Sequence, residues 1–230
     1  MNDVAALHNV RFPSESAEYR RSRDELLLAE IALRRQIETV AALRRSLPAG
    51  GAVPEDYVFD EAPRDQPARK VPFSQLFGDS PTLIAYSFMF GPDDATACPN
   101  CTAMLDSLDG ASPHVRQSVP LVVIAKSPIA RIMRHADDRG WRQLRLLSSY
   151  GNSYNRDYRG ENEQGLQRPS LNVFARRDGR IHHFYNTELL FAPSEPDQDP
   201  RHVDAIWPLW SLLDVTPEGR GKDWRPKLQY

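Results

Sequence analysis

Two short apolar runs constrain this chain more than any other feature. Thr82-Leu83-Ile84-Ala85-Tyr86-Ser87-Phe88-Met89-Phe90 and Val119-Pro120-Leu121-Val122-Val123-Ile124-Ala125 are nearly continuous in β-prone apolar residues, and such runs suit strands covered on both faces. Each leads into a helical pattern. The first passes Gly91-Pro92 to Met104, Leu105 and Leu108 and is expected to end near Asp109-Gly110. The second passes Ser127-Pro128, read as an N-cap and first-turn proline, to Ile129, Ile132, Met133 and Ala136, stopping at Gly140. This β-α-β-α order makes the two runs the centre of an α/β sheet.

The flanking segments extend the sheet. Tyr57-Val58-Phe59 and Val71 to Gly78 suggest a short strand or hairpin followed by a one-turn helix. Leu144 to Leu147 reads as a short strand, and Pro169-Ser170-Leu171-Asn172-Val173-Phe174-Ala175 as another. Asp178-Gly179 joins this last strand to Arg180-Ile181-His182-His183-Phe184-Tyr185 as a hairpin, because both turn residues tolerate the positive φ that a tight β-turn demands. A last helix is expected around Ala205 to Leu213, with an irregular tail beyond. Ahead of the sheet, Leu26, Leu33, Val40 and Leu47 recur every seven residues within 15–47, the pattern of an amphipathic helix; Pro48 and Gly50-Gly51 stop it. The plainer reading docks its stripe on its own domain, and the sharper one pairs it with a second copy as a homodimer. The expected organisation is a helical extension over 1–52, a main domain over 53–215 and a tail over 216–230.

Charge excludes some partners. Lys and Arg number 29 against 31 Asp and Glu, a net charge of −2, so no large field draws nucleic acid or an anionic membrane. No stretch reaches the roughly 18 apolar residues of a membrane span, and Met1-Asn2-Asp3-Val4 lacks the layout of a secretory signal. A cytoplasmic location is expected.

The chain has two cysteines, spaced as Cys98-Pro99-Asn100-Cys101 at the start of the first helical pattern. A lone C-x-x-C in a cytosolic α/β chain points to thiol chemistry or metal binding rather than to a disulfide scaffold. Strand, loop, C-x-x-C at a helix start, strand, helix, then proline before a hairpin is the order of a thioredoxin fold, a three-layer α/β/α sandwich on a mixed sheet. At a helix N-terminus, free N–H groups and the macrodipole favour an anion, which draws a thiol pKa down from about 8.5 toward neutrality or below. Cys98 is therefore the expected nucleophile. Cys101, one turn further on and shielded, is the expected resolving thiol. Pro99 sits where a missing N–H costs little. The segment around Pro169 resembles the one that faces the cysteine pair in thioredoxin-like proteins, which implies backbone left free for an extended substrate and Pro99, Arg168, Pro169 and Ser170 as substrate-binding residues; cis and trans both remain open for the bond before Pro169.

Further motifs carry a closer resemblance. Tyr86 to Pro92, Cys98 to Cys101, Val123 to Pro128, Arg139-Gly140-Trp141, Leu147 to Tyr158 and Leu213 to Gly221 resemble a bacterial thioredoxin-like family of unknown function, described as predicted dithiol–disulfide oxidoreductases. The resemblance implies a fold, a predicted activity and a cis proline at 169. It implies no cofactor; the partners expected are a protein or small-molecule disulfide and a thiol reductant system. The chain departs from classical thioredoxins at two points. Ala97 stands where they place tryptophan, and the strand over 82–90 lacks their buried aspartate.

Three other readings compete. A peroxiredoxin-like peroxidase would use Pro92, Thr96 and Cys98, although Thr96 is one residue too close. Copper or another metal would use Cys98, Cys101 and one of His182 and His183, which point to opposite faces of a strand. A partner-binding adaptor would use the N-terminal helix. His114, His135 and His202 read as surface or capping residues, Asp93 and Asp94 as solvated loop acids capping a turn, and Asn152 to Tyr158 as loop and packing residues in preference to a substrate cleft.

Overall fold

A computed structural model of the chain describes residues 7–196, 201–221 and 225–229. Two compact units compose it, Met1–Pro48 and Ala49–Tyr230. The first is built on α1 (Ala17–Arg45). Ser16 caps it by accepting the Tyr19 N–H at 3.0 Å, Arg44 and Arg45 complement the dipole of its last turn, and Pro48 prevents its continuation. None of its residues is buried.

The second unit is a seven-stranded sheet in the order β2-β1-β5-β4-β3-β6-β7. Its strands are β1 (Val58–Glu61), β2 (Arg69–Pro72), β3 (Thr82–Phe88), β4 (Leu121–Ala125), β5 (Leu146–Ser148), β6 (Ser170–Arg177) and β7 (Arg180–Asn186). The two apolar runs are β3 and β4, parallel and adjacent, with Tyr86 opposite Val123. β5 adds in parallel beyond β4, while β6 pairs antiparallel with the other edge of β3. Asp178 (φ 50°) and Gly179 (φ 74°) make the β6–β7 turn with both residues left-handed, the backbone that matches the twist of a tight hairpin. The result is a thioredoxin-like α/β fold on a mixed sheet.

Alternation along β3 separates two cores. Ile84, Tyr86 and Phe88 face α2 (Pro99–Val115), α3 (Ile129–Arg139) and α5 (Pro208–Asp214), together with Met104, Ile132, Trp207 and Trp210. Leu83 and Ala85 face a second core made by Phe73 and Phe77 of a one-turn 3-10 helix, by Tyr154 of the short helix α4 (Tyr154–Asp157), and by Tyr57, Tyr158 and Phe174. The second face is thus covered by short elements rich in aromatic rings. Gly50 lies against β7 so closely that a Cβ there would stand 1.9 Å from the His183 carbonyl oxygen. Gly51 and Val53 continue that edge: His183 N–H donates to Gly51 O at 2.9 Å, and Val53 N–H to Ile181 O at 2.8 Å.

Two helix boundaries depart from the sequence reading. α2 runs through Asp109-Gly110 to Val115, because Asp109 caps another segment instead of ending its own helix. Its carboxylate accepts the backbone N–H groups of Arg142, Gln143 and Leu144 at 2.8 to 3.1 Å. In α3 the N-cap is Pro128 and no side chain caps it; Ser127 is buried in the turn before it, and its N–H donates to Phe90 O at 2.9 Å.

Candidate functional site

α2 begins where β3 delivers the chain to the C-terminal edge of the parallel strands. Arg131 of α3 holds the intervening loop, donating to the carbonyls of Gly91, Pro92 and Asp94 while its guanidinium lies 4.7 Å from the Phe90 ring. Asp94 closes the turn by accepting the Gly91 N–H at 2.6 Å. From the other end, Asp106 ties α2 to the end of α3, accepting from Trp141 Nε1 at 2.7 Å and from Arg139 at 2.6 Å. The helix that carries both cysteines is therefore anchored on each side.

Cys98 is the N-cap of α2 and Pro99 its first residue. Cys98 is half-buried and Cys101 buried, and both are free thiols. Cys101 donates a hydrogen bond to the Cys98 sulfur, which is the largest of the influences that lower the Cys98 pKa from 9.0 to about 6. Burial opposes the shift; the N–H groups of Cys101 and Asn100, pointing at the sulfur from the first turn, assist it. Asp94 opposes it through its charge, the smallest contribution, so Asp94 both caps the turn and is felt by the thiol. Cys101 moves the other way: its hydrogen bond to Cys98, its burial and the negative charge of Cys98 all raise its pKa well above 9.0.

Tyr86 is the site residue that sequence reasoning missed. Its hydroxyl donates to Cys101 Sγ at 3.2 Å in a fully buried setting, and burial followed by the proximity of the Cys101 sulfur raises its own pKa well above 10.0. In the sequence it is one more aromatic in a β-prone run. Only the inward phase of β3, Tyr86 sharing a face with Phe88 and α2, would have flagged it.

A pocket of about 230 Å³ opens on the pair. Cys98, Asn100, Cys101 and Pro169 line it with Tyr86, Met89, Met104 and Leu190, and Arg201 to Val203, Trp207 and Trp210 form another wall. Pro169 is thus where expected, but no cis peptide bond occurs among the described residues, so the Arg168–Pro169 bond is trans. Arg168 is exposed, its guanidinium 5.8 Å from the Phe191 ring. Its N–H is not free for a substrate, since it donates to Gly160 O at 2.8 Å. Ser170 is buried, opposite Ser87, and its hydroxyl accepts from Asn172 at 3.3 Å; it does not line the pocket.

The histidines sort differently from their sequence reading. His183 stacks on Tyr158 and Phe174 in the second core, away from the cysteines, and His182 Nδ1 lies 2.9 Å from Gly50 O. His202, read as a surface or capping residue, lines the cysteine pocket. His135 is half-buried between Phe88, Phe90 and Trp141, 3.1 Å from the Thr102 hydroxyl, and burial lowers its pKa. Thr96 is exposed and lines a different cleft, with Arg131, Arg134 and His135. Asn152 to Tyr158 build structure: Tyr154 and Tyr158 enter the second core, and Asn155 bonds Ser149 and Gln167. Among the described residues no three His, Cys, Asp or Glu side chains converge as a metal-ligand set. None of the described helices is long and apolar enough to cross a membrane.

Similar solved structures include the reduced 2-Cys peroxiredoxin of Plasmodium vivax, 18% identical, covering 69% of this chain and 95% of that one with a TM-score of 0.45. Thioredoxin peroxidase I of Plasmodium yoelii is 15% identical, covering 78% and 100%, with a TM-score of 0.46. A peroxiredoxin-like protein of Aquifex aeolicus is 14% identical, covering 61% and 75%, with a TM-score of 0.38. No curated protein matches the chain. A family model matches residues 9–230, and on that match the chain belongs to the DUF899 family, bacterial proteins of unknown function.

Proposed function

We propose that this protein is a thiol–disulfide oxidoreductase in which Cys98 attacks and Cys101 resolves. The observation that carries the reading is the placement of the two free thiols: Cys98 is the half-buried N-cap of α2 and lines a pocket, while Cys101 is buried against the Tyr86 hydroxyl, an arrangement that draws the Cys98 pKa down to about 6 and pushes that of Cys101 up. At neutral pH the reactive sulfur is an anion and its neighbour holds a proton.

The reaction balances as follows. The Cys98 thiolate attacks one sulfur of a substrate RS–SR, forming Cys98–S–SR and releasing RS⁻. Cys98 then carries no negative charge and no longer accepts the Cys101 S–H. Two of the three influences that raised the Cys101 pKa disappear, so its thiol ionises more readily once the mixed disulfide exists. Tyr86 donates to the sulfur as charge develops, a hydrogen bond that favours the anion. Cys101 attacks the Cys98 sulfur, the Cys98–Cys101 disulfide forms, and the second thiol leaves; RS–SR has been reduced to RSH and RS⁻. A second dithiol restores the pair. Pro99 opens the first turn of α2 and lines the cleft shared with Thr96 and His135, not the cysteine pocket, so the expected substrate-binding set of Pro99, Arg168, Pro169 and Ser170 narrows to Pro169 as a wall of the pocket.

Comparing Cys98→Ser with Cys101→Ser on a disulfide substrate tests the assignment. Cys98→Ser abolishes exchange, and Cys101→Ser accumulates a mixed disulfide on Cys98 visible by intact-mass spectrometry. Full activity in both variants overturns the mechanism. Peroxide consumption that survives Cys101→Ser reassigns the protein as a thiol peroxidase.

A further inference from the structure

We propose that the pocket above Cys98 is a binding site for a low-molecular-weight disulfide bearing an aromatic or heteroaromatic ring, an assignment that rests on the thiol–disulfide reading and names its substrate. The walls determine the class. Tyr86, Met89, Met104, Leu190, Trp207 and Trp210 make the apolar part of the lining beside the cysteine pair, with Asn100, Arg201, His202 and Arg225 as its polar part, and the Trp207 and Trp210 rings meet edge to face with centroids 4.8 Å apart. Aromatic faces and methionine sulfurs pack on a ring through its quadrupole and polarisability, which an alkyl chain does not supply. At about 230 Å³, the cavity lies just below the ~300–1,000 Å³ of drug-sized sites and suits one or two rings.

A polypeptide disulfide fits the same surface poorly. Reading an extended backbone requires unpaired N–H and C=O groups beside the nucleophile. Here Arg168 N–H is taken by Gly160 O, Leu171 N–H by the Thr187 hydroxyl, and Leu171 O by Thr187 N–H. The wall made by 201–210 is also held in place: Arg201 pairs with Asp204 and, at 3.1 Å, with Asp214, which pairs with Arg220 at 2.8 Å. His202 also lines the pocket, and its Nε2 is buried without a hydrogen-bond partner among the described residues, an unsatisfied polar atom on that wall.

The test measures stopped-flow rates of the reduced full-length protein with 4,4′-dithiodipyridine, 2-hydroxyethyl disulfide and oxidised insulin. Each rate is divided by that of a free thiol with the same pKa, which removes the greater intrinsic reactivity of aryl disulfides. The expected normalised preference for the aryl disulfide over both others is at least tenfold. It falls at least fivefold in Trp207→Ala and less in Trp207→Phe. Independently, Cys98→Ser binds the unreactive thioether 4,4′-dipyridyl sulfide saturably, read by tryptophan fluorescence, whether or not the Trp207 variants fold. Equal normalised rates, faster insulin reduction, or no saturable thioether binding overturns the proposal. If no disulfide reacts but the thioether binds, the exchange reading fails while the aromatic site stands.

Discussion

At the scale of single residues, the decisive device is one hydrogen bond between two thiols at a helix start. Cys98 gains from it and from two backbone N–H groups of the first turn of α2, and each favours the charged form. The folded pKa lies below the unfolded one, so between about 6 and 9.0 the folded protein binds fewer protons than the unfolded chain. Stability contributed by Cys98 therefore rises with pH across that window and is lost as pH falls through about 6. The direct measurement is iodoacetamide alkylation of the reduced protein: the Cys98 rate reaches half its plateau near pH 6, whereas Cys101 stays unmodified throughout. A half-point near 9.0, the value of an ordinary thiol, would sink the electrostatic account. The cysteine pair and its place at the start of α2 were legible in the sequence because C-x-x-C at a helix start is a local pattern. Tyr86 was not, since a hydroxyl on a buried strand declares itself only by what α2 places opposite it.

Among the elements, loops and caps were misread where a residue serves a distant segment. Asp109-Gly110 has the composition of a helix stop, yet α2 continues because Asp109 satisfies three backbone donors at the start of the segment leading into β5. Asp109→Ala leaves the exposed Arg142 and Gln143 N–H groups to water and strands the Leu144 N–H at a partly buried position, at a cost of about 1 kcal/mol, measurable as a lower urea midpoint with an unchanged m-value. Asp109→Asn, which keeps the accepting oxygen, recovers most of it. An Ala variant as stable as the parent would show that water replaces the carboxylate. The hairpin at Asp178-Gly179 was read correctly for the opposite reason: its conformation is set within two residues. Gly50 lies between these cases, visible as part of a helix stop but needed because β7 passes too close for any side chain.

At the largest scale, the sheet of the second unit is joined across its β2-β1-β5 side by a buried carboxylate. Glu61 of β1 is 5% exposed and accepts from Arg145 at 2.6 Å, just before β5, and from Arg69 of β2 at 2.9 Å. Burial alone would raise its pKa, but hydrogen bonds and charge from Arg145 and then Arg69 outweigh that and lower it from 4.5. Its contribution is accordingly present above the unfolded value and lost as pH falls through the lower folded one. Glu61→Gln is expected to cost about 1–3 kcal/mol at pH 7, nearer the lower end because Arg69 is half exposed. The deficit shrinks on acidification toward pH 3; urea denaturation at both pH values measures it, and a pH-independent deficit would refute the linkage.

Composition, periodicity and the C-x-x-C spacing determined by themselves that this is an α/β chain with a cysteine pair at a helix start, since strand alternation, helix stops and tight turns are written in neighbouring residues. Tertiary structure alone decided the trans peptide at Pro169, the capture of the Arg168 N–H, the descent of Tyr86 onto Cys101 and the return of Trp207 and Trp210 over the thiols. Those contacts join residues from 8 to more than 100 positions apart in the sequence, and no local preference encodes which distant partner packing will supply.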